Sequence, residues 1–241
     1  VEFEIQNISK NFGGIQALNG VSLRLEGDEM VGVIGPNGAG KTTFVNTITG
    51  FHAADRGKLI LNGENITNLK PNEVVRRGIG RTFQVTRAFR RMTVMENLLV
   101  PALALSKYKN RARARKRALE VLDFLTMYHL RDDFARSLSG GQQKLLELGQ
   151  LLMNDPDLLL LDEPFAGVHP KLRETIFEYI HAVHDQGKSF IIISHDMASI
   201  FALSKRLVVL HQGEVLADGK PEIVKEDPVV IEAYLGEEED D

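Results

Sequence analysis

Apolar and polar residues alternate along Val1–Ile5 and again along Val21–Leu25, the period of strands with one buried face. Met30–Ile34, Leu158–Leu161 and Phe190–Ile193 are instead short unbroken apolar runs, which suit strands buried on both faces. Lys41–Thr49, Thr175–His184 and Met197–Leu203 space their apolar residues as helices do. Leu59–Asn62 reads as a strand closed by a turn at Gly63. Leu207–Leu210 and Glu214–Ala217 read as a hairpin about His211-Gln212-Gly213. From about residue 90 to about 150 helical patterns dominate, with apolar faces at Leu98–Leu105 and Ala118–Phe124. Apolar strands alternating with helices predict an α/β fold around a mostly parallel sheet covered on both faces. The chain shows no internal repeat.

The chain has 241 residues, enough for one large α/β domain or a core with a smaller subdomain. With 43% hydrophobic and 26% charged residues it has the make-up of a globular protein. No run of about 18 apolar residues is present, so no segment is expected to span a bilayer as a helix. The N-terminal stretch lacks the pattern of a secretory signal. The absence of cysteine excludes disulfides and thiolate metal sites and fits a reducing compartment. A net charge of −4 argues against general nucleic-acid binding. Glu237–Asp241 is a run of five acids and is expected to be a disordered tail.

Gly35-Pro36-Asn37-Gly38-Ala39-Gly40-Lys41-Thr42 fits the phosphate-loop pattern G-x-x-x-x-G-K-[ST] at every position, with Thr43 next in line. It lies between a predicted strand and a predicted helix, the context such a loop requires. Its glycines let backbone N–H groups converge on phosphate oxygens, and the helix adds its positive end. Lys41 supplies charge for the β- and γ-phosphates of a nucleotide, and the Thr42 hydroxyl can ligand Mg²⁺. The competing reading is a chance glycine turn before a helix, and the flanking strand and helix together weigh against it.

Leu158–Leu161 delivers Asp162 and Glu163 to the carboxyl end of a strand, where open α/β sheets bind ligands. There Asp162 is expected to hold Mg²⁺ through water, and Glu163, one residue further, to act on an attacking water as general base or orienter. Alone, Asp162-Glu163-Pro164 favours a reading as two solvated acids opening a turn. The phosphate loop shifts the balance to chemistry.

Leu138-Ser139-Gly140-Gly141-Gln142 precedes a predicted helix through Lys144–Met153. Ser139 and Gln142 have the spacing of a capping box, so the segment also reads as a plain helix start. Gly140 and Gly141 leave backbone N–H groups open there, which makes an anion site. One ATP has no need of two such sites in one chain. At this point residues 1 to about 236 resemble the ATP-binding subunit of an ABC transporter. Leu138–Gln142 resembles that family's signature segment. The resemblance implies that Ser139, Gly140, Gly141 and Gln142 contact the γ-phosphate on a partner subunit's loop, with two ATP molecules sandwiched in a head-to-tail dimer.

The resemblance assigns further roles. Phe12 matches the aromatic that stacks on adenine, against a plain reading as a core aromatic. Gln84, in Arg81-Thr82-Phe83-Gln84, matches the glutamine that touches Mg²⁺ or the lytic water. His195, after the strand Phe190–Ile193, matches the switch histidine on the γ-phosphate. One position departs from the pattern: Ala166-Gly167-Val168-His169 stands where the family often has Ser-Ala-Leu-Asp, so a cross-dimer aspartate contact is in doubt, and a weaker or pH-dependent contact from His169 is the expectation.

The resemblance further implies a phosphate-loop NTPase core, about 1–85 and 157–236, with an N-terminal antiparallel β part and an inserted helical subdomain over about 86–156. The segments Gly78–Gln84, Phe89 with Met92–Leu98, Phe165–Val168 and Tyr234–Glu237 are similar to the ATPases of branched-chain amino-acid importers. Related ATPases for urea or amide uptake and lipopolysaccharide export share parts of the pattern. This implies permease subunits, indirectly a solute-binding protein, and a peripheral place on the cytoplasmic face of the membrane. Phe89 and Arg90, in Val85–Met92, are expected to dock a permease helix, against a plain surface loop. Lys107–Arg117 holds seven basic residues in eleven, a solvated helix face or a contact for anionic lipid. Stacking aromatics other than Tyr108 are missing there, which argues against nucleic acid. The competing classes are an ABC ATPase switch in translation or DNA repair, and a small-molecule kinase. The former usually joins two cassettes or inserts a coiled coil, and the latter leaves Leu138–Gln142 unexplained.

Overall fold

The computed structural model describes residues 1–83, 88–105, 108 and 110–235. Its elements in chain order are β1 (Glu2–Phe12), β2 (Ile15–Glu26), β3 (Met30–Ile34), α1 (Lys41–Ile48), β4 (Arg56–Leu61), β5 (Glu64–Asn65), α2 (Pro71–Arg76) and β6 (Ile79–Arg81). There follow α3 (Val94–Ala104), α4 (Arg111–Phe124), α5 (Gly140–Leu152), β7 (Leu158–Asp162), α6 (Pro170–His184), β8 (Ser189–Ile193), α7 (Met197–Leu203), β9 (Arg206–His211), β10 (Glu214–Gly219), α8 (Pro221–Val224) and α9 (Pro228–Leu235).

Among the described residues the strands form two sheets. One is antiparallel, in the order β2-β1-β4-β5. The other runs β10-β9-β3-β8-β7-β6, parallel throughout except for β10 at its edge. The unbroken apolar runs account for the parallel sheet, because β3, β7 and β8 are buried at every residue. Alternate residues of these strands face opposite layers. Leu159, Leu161, Phe190 and Ile192 join one apolar cluster with α3, α4, α5 and α6. Leu158, Leu160, Ile191 and Ile193 join the other, with α1 and the inner face of the antiparallel sheet.

The hairpin about Gln212-Gly213 forms as expected, with both residues at positive φ and His211 opposite Glu214, the geometry whose twist matches the strands. The first two strands are longer than their alternation predicts. Pairing continues past Ile5 through register shifts, with Asn7 at positive φ, so the side-chain period breaks while the backbone ladder goes on. Helix α6 starts five residues before Thr175, because His169 caps it and Pro170 opens its first turn. The three-residue β6 and six-residue α2 are too short to show a period.

Sheet order decides where the chemistry lies. β3, β8 and β7 are adjacent, and Ile193 pairs with Val33 on one side and Asp162 on the other. The carboxyl ends of three strands therefore meet at one edge, beneath the loop that opens α1.

Candidate functional site

Three glycines of the loop carry positive φ: Gly35, Gly38 and Gly40. At Gly35 a Cβ would lie 2.1 Å from the Leu210 carbonyl oxygen, and at Gly40 2.5 Å from that of Ala17. The loop is thus pressed against β9 and β2 by backbone contact that no side chain could share. Gly40 stands at the start of α1 with no side-chain cap, and the first turn has no acidic residue. The helix end is left for an anion. Lys41 Nζ donates to the carbonyl oxygens of Gly35 at 2.5 Å and Pro36 at 2.7 Å, folding back over its own loop.

A cavity of about 570 Å³ opens over this loop. Its walls include Asn37, Gly38, Ala39, Gly40, Lys41, Thr42 and Thr43 from the loop, Asp162 and Glu163 from the end of β7, and His195 after β8. Residues assigned separately from the sequence are therefore brought together, across more than 150 positions of chain. Gly35 and Pro36 do not line it; Gly35 packs on the Leu210 carbonyl, and both residues' carbonyl oxygens accept from Lys41.

Asp162 is only 7% exposed and ion-paired: Arg81 Nη2 donates to its Oδ2 at 2.9 Å. Its own N–H donates to Thr82 Oγ1 at 3.1 Å. Arg81 also donates to Asn46 on α1, so one guanidinium ties β6 to α1 and β7. Glu163 takes a left-handed φ of 50°, uncommon for a residue with a side chain. Ser194 Oγ donates to its Oε2 at 3.0 Å, His195 N–H donates to its Oε1 at 3.0 Å, and His195 Nδ1 stands 2.9 Å from Oε2. The His195 ring is largely exposed, so this acid bridges a buried strand end and the open cavity. Next in line, Asp196 pairs with Arg173 at 2.6 Å. Burial acts to raise the Asp196 pKa, but hydrogen bonds from Ser199, and the charges of Arg173 and His195, bring it below the ordinary value.

The sequence alone does not single out Arg81 or Ser194 for the site. Arg81 enters the sequence reading only as a neighbour of Gln84 and Ser194 not at all; each is placed at the site by a partner distant in sequence. Phe12 does not line the cavity; its ring packs edge-on against His52 at 5.1 Å, and Ile15, Gln16 and Ala17 of the same hairpin form that wall. Gln84 and the rest of 84–87 lie outside the described residues, as do Lys107, Lys109 and the acidic run Glu237–Asp241. His169 has a local role in the structure, where its Nδ1 accepts the Lys171 N–H at 3.3 Å as the cap of α6.

The capping box at the start of α5 is present. Gln142 N–H donates to Ser139 Oγ at 3.3 Å, and Ser139 N–H donates to Gln142 Oε1 at 2.9 Å. None of Ser139, Gly140, Gly141 and Gln142 lines the phosphate-loop cavity of the same chain. The two glycines differ. A Cβ at Gly141 would meet Leu172 Cδ2 at 1.8 Å, whereas one at Gly140 would meet open space.

A phosphate loop at a strand-to-helix turn, facing an acidic strand end across one cavity, defines a phosphate-loop nucleotide-binding protein. The family model described as ABC transporter matches residues 18–166. A second, described as branched-chain amino acid ATP-binding cassette transporter, matches 214–240. The chain is 41% identical to the "Probable branched-chain amino acid transport ATP-binding protein LivG" of Archaeoglobus fulgidus, over 97% of this chain and 95% of that one. It is 38% identical to the "High-affinity branched-chain amino acid transport ATP-binding protein BraF" of Pseudomonas aeruginosa, over 97% of each. Among solved structures, an ATP-binding cassette of an ABC transporter in its ADP conformation aligns with a TM-score of 0.90 at 37% identity, covering 98% of this chain and 99% of that one. A dimeric bacterial ABC transporter cassette aligns with a TM-score of 0.81 at 27% identity, over 91% and 98%. The chain belongs to the ABC transporter ATP-binding family: it is a nucleotide-binding cassette and an ATPase coupled to transport.

Proposed function

We propose that this cassette powers import of branched-chain amino acids, working as one of a head-to-tail pair of ATP-binding subunits held by permease subunits at the cytoplasmic face of a membrane. The observation that carries the ATP chemistry is the shared cavity of the phosphate loop, Asp162, Glu163 and His195. The likeness along nearly the whole chain to relatives named for branched-chain amino-acid transport supports the solute class. The match over 214–240 supports it independently. A solute-binding protein would deliver the solute. No helix among the described residues is long and apolar enough to cross a membrane; in this reading the permease forms the passage.

In this reading the loop amides and Lys41 bind the β- and γ-phosphates, the ammonium exchanging its loop carbonyls for phosphate oxygens. Phe12 on its hairpin stacks against adenine. Among the described residues no group of three or more His, Asp or Glu forms a metal cage. Thr42 and Asp162 nevertheless face the same cavity, which suits an ion that takes most ligands from phosphate and water. Mg²⁺ bound by Thr42, Asp162 and Gln84 would offset phosphate charge. Glu163 accepts a proton from water as its oxygen bonds to the γ-phosphorus. The bond to the β–γ bridging oxygen breaks, and ADP and phosphate leave. His195, already against Glu163, holds the γ-phosphate side. Ser139, Gly140, Gly141 and Gln142 complete the partner's site, since they stand outside their own.

The first test is Glu163→Gln. Hydrolysis should fall by about 10²-fold or more, the range for loss of a general base. ATP binding should persist, and dimer should accumulate by light scattering. Near-normal turnover removes Glu163 from this role. Copurification of permease subunits and a second ATPase from native membranes supports the importer, and their solute distinguishes amino acids from urea, amides or lipopolysaccharide. Recovery with ribosomes or DNA instead favours a soluble switch.

A further inference from the structure

Helix α5 carries Ser139–Gln142 at its N-terminus, but two of its polar side chains lie deeper, three residues apart and hence on one face. Glu147 is 8% exposed, and its Oε1 accepts the Phe83 N–H at 2.8 Å. Gln150 Nε2 donates to both the backbone oxygen and Oδ1 of Asn97, each at 3.3 Å. Asn97, on α3, is fully buried. Its Oδ1 accepts the Phe89 N–H at 2.8 Å, and its Nδ2 donates to the carbonyl oxygens of Phe89 at 3.1 Å, Met92 at 3.3 Å and Thr93 at 2.8 Å. One amide thus holds Phe89 by both backbone groups, as a neighbouring strand would.

These contacts hold two points, Phe83 and Phe89, of the stretch between β6 and α3. On the near side Phe83 follows Thr82 and Arg81, which hold Asp162 of the nucleotide cavity. On the far side Phe89, Arg90 and Arg91 are exposed. A buried carboxylate and a buried amide cost free energy unless paired, and leucine would fill either position of a helix core more simply. Their use here fits a requirement for direction, which apolar packing does not supply.

We propose that Glu147, Gln150 and Asn97 are positioning residues that convert a displacement of α5 into a displacement of the backbone at Phe83 and Phe89. This rests on the reading that Ser139–Gln142 engage a partner's nucleotide and that Phe89 and Arg90 meet a permease. Nucleotide at the dimer interface and the exposed docking residues then share one rigid lever with two polar contacts, and their coupling is reciprocal in binding free energy.

The test uses the full chain carrying Glu163→Gln, with and without ATP and Mg²⁺, and follows amide hydrogen exchange at Phe83 and Phe89. ATP should slow both amides by about tenfold in this parent, the scale of a suppressed local opening. Adding Glu147→Leu should abolish the ATP-dependent ratio at Phe83. Adding Gln150→Leu should abolish it at Phe89 and spare Phe83. ATP-driven dimerisation should persist in both. A purely structural role would speed exchange equally with and without ATP and leave the ratios unchanged, which overturns the proposal. If Glu147→Leu does not fold, Gln150→Leu decides alone by the same contrast between the two amides. A parent that dimerises with ATP yet shows no ratio overturns the coupling alone. A parent that does not dimerise overturns the underlying reading of Glu163 and Ser139–Gln142 and the coupling with it.

Discussion

Arg81 is the residue on which the acidic strand end depends. Its guanidinium pairs with the buried Asp162 at 2.9 Å and aims it, and its own side chain is about nine-tenths buried. Removing one partner of such a pair leaves an uncompensated charge and costs about 3–5 kcal/mol. Arg81→Met should therefore lower the urea midpoint of unfolding by the equivalent of that amount. Arg81→Lys should recover only part of it, since a single ammonium cannot span Asp162 and Asn46 together. Asp196 gives a pH-dependent counterpart beside His195. Its folded pKa lies below the ordinary 3.8. Its contribution to stability is thus present above the unfolded pKa and lost as pH falls through the lower folded value. The gap in Tm between the parent and Asp196→Asn should be widest near neutrality and close once pH drops well below 3.8. A gap that persists in acid would mean that Asp196 acts through its shape and hydrogen bonds rather than its charge. His169 belongs to this scale as well. As the cap of α6 its loss in His169→Ala should lower the Tm, whereas weaker ATP-driven dimerisation of the Glu163→Gln chain would show an interface contact as well.

At the scale of elements, the start of α5 separates two functions that the pentapeptide merges. The capping box and Gly141 belong to the fold: Ser139 and Gln142 satisfy each other's N–H groups, and Gly141 makes room for Leu172 of α6. Gly140 has no such neighbour, and its openness suits a ligand from outside the chain. Gly141→Ala should cost about 1–3 kcal/mol, the usual range for overpacking, read from thermal unfolding. Gly140→Ala should leave stability within about 0.5 kcal/mol, as an exposed change does, yet weaken ATP-driven dimerisation of the Glu163→Gln chain. Equal effects on dimerisation from both would show that the glycines act together. The basic stretch divides similarly. Tyr108 turns inward to donate to the Met153 carbonyl oxygen, while Arg111, Arg113, Arg115 and Lys116 stay exposed on α4.

At the scale of the whole molecule, the segment around Phe89 joins the rest of the cassette through hydrogen bonds and through Ala88, which packs on the apolar cluster. Phe89 is 49% exposed, and Arg136 N–H donates to the Arg90 carbonyl oxygen at 3.2 Å. We propose that residues 86–156 form a helical subdomain inserted in the core of 1–85 and 157–236; the apolar faces of α3, α4 and α5 share one cluster with the central sheet. In the assembled transporter, alanine at both Phe89 and Arg90 should abolish solute uptake into vesicles while most ATP turnover remains. Full uptake would remove this surface from the permease contact.

The chain's local patterns were enough for the phosphate loop, the apolar strands, the hairpin turn and the capping box. Each is written in residues a few positions apart, where period and short-range hydrogen bonds act directly. Asp162 and Glu163 were legible because a buried strand must end somewhere, and its first polar residues mark the sheet edge. Phe12 was assigned by resemblance to the adenine side; beside the loop the cavity wall is built by Ile15–Ala17 of the same hairpin. What the tertiary structure alone decided is which distant polar groups meet. Arg81 and Asp162 are 81 residues apart, Phe83 and Glu147 are 64, and Glu163 and His195 are 32. The first and last exist because strand order lays β6 beside β7 and β7 beside β8, and the second because α5 packs in the apolar cluster on one face of that sheet. No local pattern encodes that order; it emerges from burying two faces of one sheet at once.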